Sequence, residues 1–160
     1  EINKYVIYNY KERVWSIGSL VRGAWAPEGI YDNPIASSVS ATSSFIYKHE
    51  FGTDDESSAL SCTLTSGEMD IQDGDDIMFV DKVIPDFDDQ VGSVSMNLKF
   101  RIYPNASQIT EATETLATTT EFASIRARGR QMSVILSSNA TSSHWRLGDI
   151  RLNIEPDGKR

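Results

Sequence analysis

Nucleophilic catalysis by a Ser-His or Cys-His pair requires a histidine beside a serine or cysteine in a suitable local arrangement. This chain of 160 residues contains two histidines, His49 and His144, and one cysteine, Cys62. His49 and Cys62 fall in strand-like segments, His144 falls in a turn, and no serine lies in the Gly-x-Ser-x-Gly pattern of a nucleophile elbow. We therefore predict that the chain is not an enzyme and has no catalytic residues. All three residues are expected to be structural, with Cys62 as a small buried side chain.

Acidic clusters at residues 54–56, 73–76 and 86–89 are candidates for a cation site or for paired carboxylates. An EF-hand loop needs acids at alternate positions, a central glycine and a terminal glutamate, but residues 70–75 place Ile71 and Gln72 where ligands are required. Glycoside hydrolysis needs two carboxylates roughly 5 to 9 Å apart in a cleft, and the sequence selects no such pair. The clusters are predicted to be solvated turns, with no metal and no cofactor.

Three arginines alternate at the end of a predicted strand. Arg126, Arg128 and Arg130 would point to one side of that strand, although Gly129 could introduce a bulge that breaks the row. Guanidinium groups recognise carboxylates and phosphates equally well by geometry. Because the chain has a net charge of −8, we predict a protein partner for this row rather than nucleic acid.

Charge is distributed unevenly along the chain. Residues 50–89 contain thirteen Asp or Glu and one Lys, whereas residues 121–160 contain seven Lys or Arg and four acids. Our hypothesis is that the arginine row contacts carboxylates of the acidic segment, either in the next subunit or in its own sheet. The predicted assembly residues are the arginines, an exposed tryptophan and four aspartates: Arg126, Arg128, Arg130, Trp25, Asp54, Asp55, Asp86 and Asp88.

Alternation with a period of two is the strongest structural signal. Within residues 93–103, one face of the predicted strand is apolar and the other is polar or basic. The apolar face consists of Val94, Met96, Leu98, Phe100 and Ile102. Such alternation is typical of an antiparallel sheet with one face on a core.

Further strands are predicted from turn signals. Two hairpins are predicted, one formed by residues 5–10 with 14–17 and the other by residues 45–51 with 59–65. A strand over 77–84 is predicted to end at Pro85, and 131–137 is predicted to pair with 150–154, with a bulge at Gly148 and Asp149. The threonine-rich segment 108–119 is interpreted as a surface connection.

These elements predict an all-β fold. Residues 45–160 are expected to form an antiparallel β-sandwich of about seven strands, and residues 35–44 a linker or edge strand. Residues 1–34 form too small a hairpin and loop to fold alone. We expect them to complete an upstream, propeller-like β domain, since the chain begins at Glu1 rather than Met.

Six short segments carry a family resemblance. They are spread in order along most of the chain: YNYKERVWS at 8–16, RGAW at 22–25, DKVIPDF at 81–87, RARGRQ at 126–131, WRLG at 145–148 and PDGKR at 156–160. Together they resemble the C-terminal part of tail proteins from short-tailed bacteriophages, of the nozzle, hub or head-completion (stabilisation) kind.

The resemblance implies a structural virion protein located in the phage tail. It implies a homo-oligomeric ring, hexameric in the family, that contacts other tail proteins such as the adaptor and the needle or spike. DNA would be a passing cargo that the ring helps to retain or guide, and no membrane binding is expected of this segment.

A carbohydrate- or receptor-binding module of the tail is the alternative. Trp15, Trp25 and Trp145 are the candidates for stacking on sugars. Trp15 alternates with apolar residues and is predicted to be core, whereas Trp25 lies in a predicted loop and is the better contact residue. A cell-wall hydrolase is disfavoured because the sequence presents no catalytic set.

Overall fold

The computed structural model describes residues 3–39 and 44–159, and its fold is all-β with antiparallel pairing throughout. This confirms the predicted fold class. The chain divides into two compact units, Glu1–Gly52 and Thr53–Arg160.

The first unit opens with a hairpin of β1 (Lys4–Asn9) and β2 (Val14–Ser19). The carboxamide oxygen of Asn9 accepts hydrogen bonds from the amides of Lys11 and Glu12, at 3.1 and 3.2 Å, and so closes the turn. The hairpin predicted at residues 5–10 and 14–17 is thereby confirmed.

Three short strands form the second sheet of this unit, in the order β3 (Trp25–Ala26), β4 (Ile35–Ser37) and β5 (Ile46–Lys48). The hairpin predicted between residues 45–51 and 59–65 is therefore wrong, because β5 pairs with β4. The segment predicted as a linker or edge strand contains the central strand of this sheet. Ala36, with a small side chain, is buried between two neighbours there. Residues 40–43 of that predicted segment lie outside the described residues.

The second unit contains two principal sheets, ordered β11-β10-β13-β8 and β12-β9-β14. Their strands are β8 (Cys62–Thr65), β9 (Met78–Val91), β10 (Val94–Arg101), β11 (Ile109–Leu116), β12 (Ala123–Gly129), β13 (Gln131–Ser138) and β14 (His144–Pro156). A two-stranded ribbon of β6 (Asp54–Asp55) and β7 (Ser58–Ala59) precedes them. The segment 45–160 was predicted to hold about seven strands, and its described residues contain ten, of which β5 belongs to the first unit.

One hydrophobic cluster joins the inner faces of the two principal sheets in a sandwich-like arrangement. β10 shows the predicted alternation, with Val94, Met96, Leu98 and Phe100 almost fully buried and the intervening residues partly exposed. Ile102 lies beyond the strand and is exposed, so it does not extend the buried row.

β11 occupies the segment that we interpreted as a surface connection. It pairs with β10, and its last residue, Leu116, is buried in the core. Threonine is β-branched and favours strands, and an edge strand needs few apolar residues. The low hydrophobicity of 108–119 was therefore a sign of an edge position rather than of a loop.

β9 continues through Pro85 instead of ending there. β12 pairs with β9 only from Met78 to Val83, so at Pro85 the strand has β14 as its single described neighbour. A proline is tolerated where one side of the strand carries no ladder, because the missing amide is then not required.

The predicted pairing of 131–137 with 150–154 is also wrong. β13 lies between β10 and β8, and β14 pairs with β9 in the other sheet. The predicted bulge is confirmed: the register shifts between Leu147 and Ile150, which places Gly148 and Asp149 opposite the single residue Asp86.

Gly129, at the end of β12, tests how tightly the core is packed. A Cβ atom at this position would lie 2.8 Å from Cβ and Cδ1 of the buried Phe100. Gly129→Ala should lower the free energy of unfolding of the second unit by roughly 1–3 kcal/mol in urea denaturation, because the core must shift. Gly67→Ala is the control, since a Cβ there meets no described atom within 4 Å. Equal stability of the two variants would contradict the described packing.

Candidate functional site

Apolar surface is concentrated on the first unit. Among the described residues, Ala36 is the one buried hydrophobic residue of Glu1–Gly52, whereas the second unit buries fifteen. Of the large hydrophobic residues that the structure describes in the first unit, sixteen are exposed: Tyr5, Val6, Ile7, Tyr8, Tyr10, Val14, Trp15, Ile17, Val21, Trp25, Ile30, Tyr31, Val39, Phe45, Ile46 and Phe51. A monomeric soluble protein rarely exposes so dense an apolar surface, which therefore indicates an interaction site.

One face of the β1–β2 hairpin is entirely apolar at its centre. The register places Val6 opposite Ile17 and Tyr8 opposite Trp15, so these four side chains share one face, which we call the apolar hairpin face. Their exposed fractions are 62%, 83%, 46% and 66%, and the rings of Tyr8 and Trp15 lie 4.5 Å apart. Trp15 was predicted to be a core residue, and this prediction is wrong for the chain as described.

The opposite face of the hairpin forms one wall of a cleft of about 330 Å³, which we call the Trp25 cleft. Its lining combines the hairpin with the β3–β4–β5 sheet: Tyr5, Ile7, Leu20, Trp25, Pro34, His49 and Glu50. Gly18 lets the ring of Tyr5 lie against the backbone of β2, since a Cβ there would lie 2.3 Å from that ring and would displace it.

Trp25 is held in position by the ends of the short strands. It lies in β3 rather than in a loop, and its indole contacts the imidazole of His49 with ring centroids 4.5 Å apart. Half of Trp25 remains exposed. Next along the chain, Glu50 has a φ of 55°, and its carbonyl accepts a hydrogen bond of 3.0 Å from the side chain of Asn33. Trp25 was predicted from the sequence to be an exposed contact residue, and in the structure it is exposed and lines the cleft.

The predicted row of three arginines is reduced to two. Arg126 and Arg128 are exposed on one face of β12, and Arg128 makes an ion pair of 2.7 Å with Asp157. Arg130 lies beyond the end of the strand, where the chain turns. Its guanidinium donates to the carbonyls of Gly74, Asp75 and Lys159, so it fastens its own chain.

Two predicted aspartates of the acidic segment form ion pairs with arginines of the same chain, but these arginines are not those of the arginine row. Asp86 pairs with Arg151 at 3.5 Å, and Asp88 pairs with Arg146 at 3.2 Å. These pairs bridge neighbouring strands β9 and β14 and are exposed, so each contributes about 0–1 kcal/mol. Part of the charge asymmetry is thus satisfied by cross-strand pairing inside one subunit.

The remaining predicted acids lie in the β6–β7 ribbon. Asp54 accepts hydrogen bonds from the amide and the hydroxyl of Ser142, and Asp55 pairs with Ser58 in the ribbon. Both aspartates therefore belong to the second unit, whereas Trp25 belongs to the first. Within the second unit, Asp54, Asp86 and Asp88 contact Ser142, Arg151 and Arg146 rather than the arginine row.

The candidates for chemistry are scattered. Cys62 is exposed, which corrects the prediction that it is buried. His144 pairs with Asp89 at 3.3 Å, and Trp145 donates from its indole to Ser138 while packing edge-on against Phe87. Across residues 3–39 and 44–159 there is no group of three or more His, Cys, Asp or Glu placed to hold a metal ion. Those residues also contain no helix long and apolar enough to cross a membrane.

Val6, Tyr8 and Ile17 were not predicted as functional residues. Their signal was present, because β1 reads Lys-Tyr-Val-Ile-Tyr-Asn, a run of apolar and aromatic residues without alternation. A strand with this pattern is expected to have both faces covered. No protein-family model matches the sequence, and no curated protein matches it.

Arg130 is predicted to be more important for stability than its exposed neighbour on the strand. Arg130→Lys removes the fork that reaches several carbonyls at once, and should lower the free energy of unfolding by about 1–2 kcal/mol. Arg126→Lys, on the exposed face of β12, should change it by less than about 0.5 kcal/mol. Urea denaturation of both variants measures the difference, and similar values would contradict the anchoring role.

The Asp75–Lys159 pair makes a prediction about pH. The hydrogen bond and the charge of Lys159 lower the pKa of Asp75 below its usual value of 3.8, and Asp75 in turn raises the pKa of Lys159. The contribution of Asp75 to stability is thus present above pH 3.8 and is lost as the pH falls through its lowered pKa.

Carboxyl NMR titration should therefore show the pKa of Asp75 moving upward in Lys159→Met. Lys11→Met, in the connection between β1 and β2, is the matched control and should leave that titration unchanged. An unaltered Asp75 titration in Lys159→Met would show that the ion pair of 3.0 Å does not form in solution.

Proposed function

We propose that this chain is a non-catalytic assembly module of the tail of a short-tailed bacteriophage, of the nozzle, hub or head-completion kind. The observation that carries this proposal is the apolar hairpin face, which the described chain leaves exposed. A face of this composition is suited to the buried centre of a protein interface, where aromatic residues are enriched.

The position of the family-like segments supports the same role. The segment at 8–16 contributes Tyr8 and Trp15 to the apolar hairpin face, and the segment at 22–25 ends at Trp25. The segment at 126–131 contains Arg130, which fastens the C-terminal residues to the turn around Gly74. Residues that carry the resemblance therefore lie on the exposed apolar surface or hold the C-terminal residues in place.

A ring is built from heterologous contacts, in which one patch of a subunit meets a different patch of the next. The acidic segment already has partners from β14, so we infer that the apolar hairpin face, rather than the arginine row, supplies most of the contact energy. Stable interfaces bury roughly 800 Å² per partner, which is more than four side chains provide. Other exposed hydrophobic residues of the first unit would complete the contact.

DNA enters this function as a passing cargo. A net charge of −8 disfavours tight binding to phosphate, which suits a ring through which DNA must move. The ring, the virion location and contacts with the adaptor and the needle or spike are all parts of the same proposal.

Charge placed on the apolar hairpin face should prevent assembly. Ile17 is 83% exposed at the centre of this face, and Ile17→Lys would force a charge into the interface at a large desolvation cost. Electron microscopy and sedimentation velocity should show rings for the unaltered protein and subunits alone for Ile17→Lys.

Ile102→Lys is the matched control, because Ile102 is 49% exposed and belongs to the second unit, outside the proposed contact surface. It should still form rings. Two results would contradict the proposed function: an unaltered protein that stays monomeric at all concentrations, or rings that form equally well with Ile17→Lys.

A further inference from the structure

The Trp25 cleft is a second surface of the first unit, separate from the apolar hairpin face. Successive side chains of a strand point to opposite sides, so Tyr5 and Ile7 line the cleft while Val6 and Tyr8 lie on the other side of the same hairpin. A partner bound to the apolar hairpin face would therefore lie on the opposite side of the hairpin from the wall of the cleft.

We propose that the Trp25 cleft binds a neutral carbohydrate, with one pyranose ring stacked on the exposed part of the Trp25 indole. A pyranose has a face of C–H groups and a rim of hydroxyls. The cleft has a matching division, with apolar side chains from Ile7, Leu20, Trp25 and Pro34 and polar groups from Tyr5, His49 and Glu50. Its volume of about 330 Å³ is at the lower end of small-molecule sites, which fits a short saccharide.

The indole is prepared for stacking by its surroundings. His49 lies against Trp25 with an interplanar angle of 31°, which restricts the orientation of the indole while half of the residue stays exposed. Aromatic side chains lose little conformational entropy on binding and present a large rigid surface. The stacking surface is thus formed before the ligand arrives.

The polar groups favour a polyhydroxylated ligand over an apolar one. Glu50 is exposed and lines the cleft, and covering its carboxylate with an apolar side chain that donates no hydrogen bond would be costly. A sugar hydroxyl can donate to the same carboxylate while its ring covers Trp25. Glu50 also has a left-handed backbone conformation, with φ of 55°, which fixes where its side chain leaves the chain.

A quaternary ammonium ion is the main chemical competitor, because aromatic rings with a nearby carboxylate attract cations. The Trp25 cleft differs from a cage for such an ion, since four of its seven lining residues are apolar and an imidazole lies beside the indole. We therefore assign the cleft to a neutral ring rather than to a cation.

The test is a binding titration with the whole chain and a panel of neutral trisaccharides built from glucose, galactose, mannose or N-acetylglucosamine, with choline chloride as the cationic probe. Isothermal calorimetry and tryptophan fluorescence should detect binding of at least one saccharide. Trp25→Ala should weaken that binding at least tenfold, and Trp25→Phe should restore most of it. Glu50→Gln, which preserves size, should weaken it several-fold.

Trp15→Ala is the matched control, because Trp15 is also an exposed tryptophan and lies on the hairpin face that points away from the cleft. It should leave saccharide binding unchanged, and it separates this site from the assembly function. Three results would overturn the assignment: no saccharide of the panel binds at millimolar concentration, Trp25→Ala and Glu50→Gln both bind as well as the unaltered chain, or choline binds and displaces the saccharide.

Discussion

A β-strand has two faces, and at least one of them must be removed from water for the strand to be stable. The two units meet this constraint differently. In the second unit, β10 and β13 bury their inner faces against β9 and β12, and a single cluster of hydrophobic residues results. In the first unit, the hairpin is apolar on one face and lines a cleft with the other, and the described residues cover neither face fully. The proposed interface lies on the unit whose strands are left uncovered.

Electrostatics has a smaller role than the sequence suggested. The acidic middle and basic end of the chain are complementary, but Asp86 and Asp88 meet Arg151 and Arg146 across two neighbouring strands of one sheet. Exposed pairs of this kind contribute little to stability, and their charges are already partnered before another subunit arrives. The exposed apolar residues of the first unit are left uncovered by the described residues, so under the proposed function they would be the stronger determinant of assembly.

Local patterns predicted local features well. Three features were predicted correctly because each depends on a few neighbouring residues: the alternation within 93–103, the first hairpin and the bulge at Gly148. Pairing between distant strands could not be predicted from local patterns. The strand at 45–51 was assigned to the wrong partner, and β9 was predicted to end at Pro85, although it continues there with β14 as its single described neighbour. The candidate surfaces were predicted in part. Trp25 was identified as an exposed residue. Trp15 was predicted to be core, because the sequence pattern is the same whether an apolar side chain is covered by its own chain or by a partner.

Amide hydrogen exchange compares the protection of the two units within one chain. In dilute, unassembled protein, amides of β1 and β2 should exchange orders of magnitude faster than those of β10 and β13. Assembly should then slow exchange in the hairpin and leave β10 and β13 unchanged. If the hairpin amides of the unassembled chain were protected as strongly as those of β10, the first unit would be stable without a partner, and the account would be wrong.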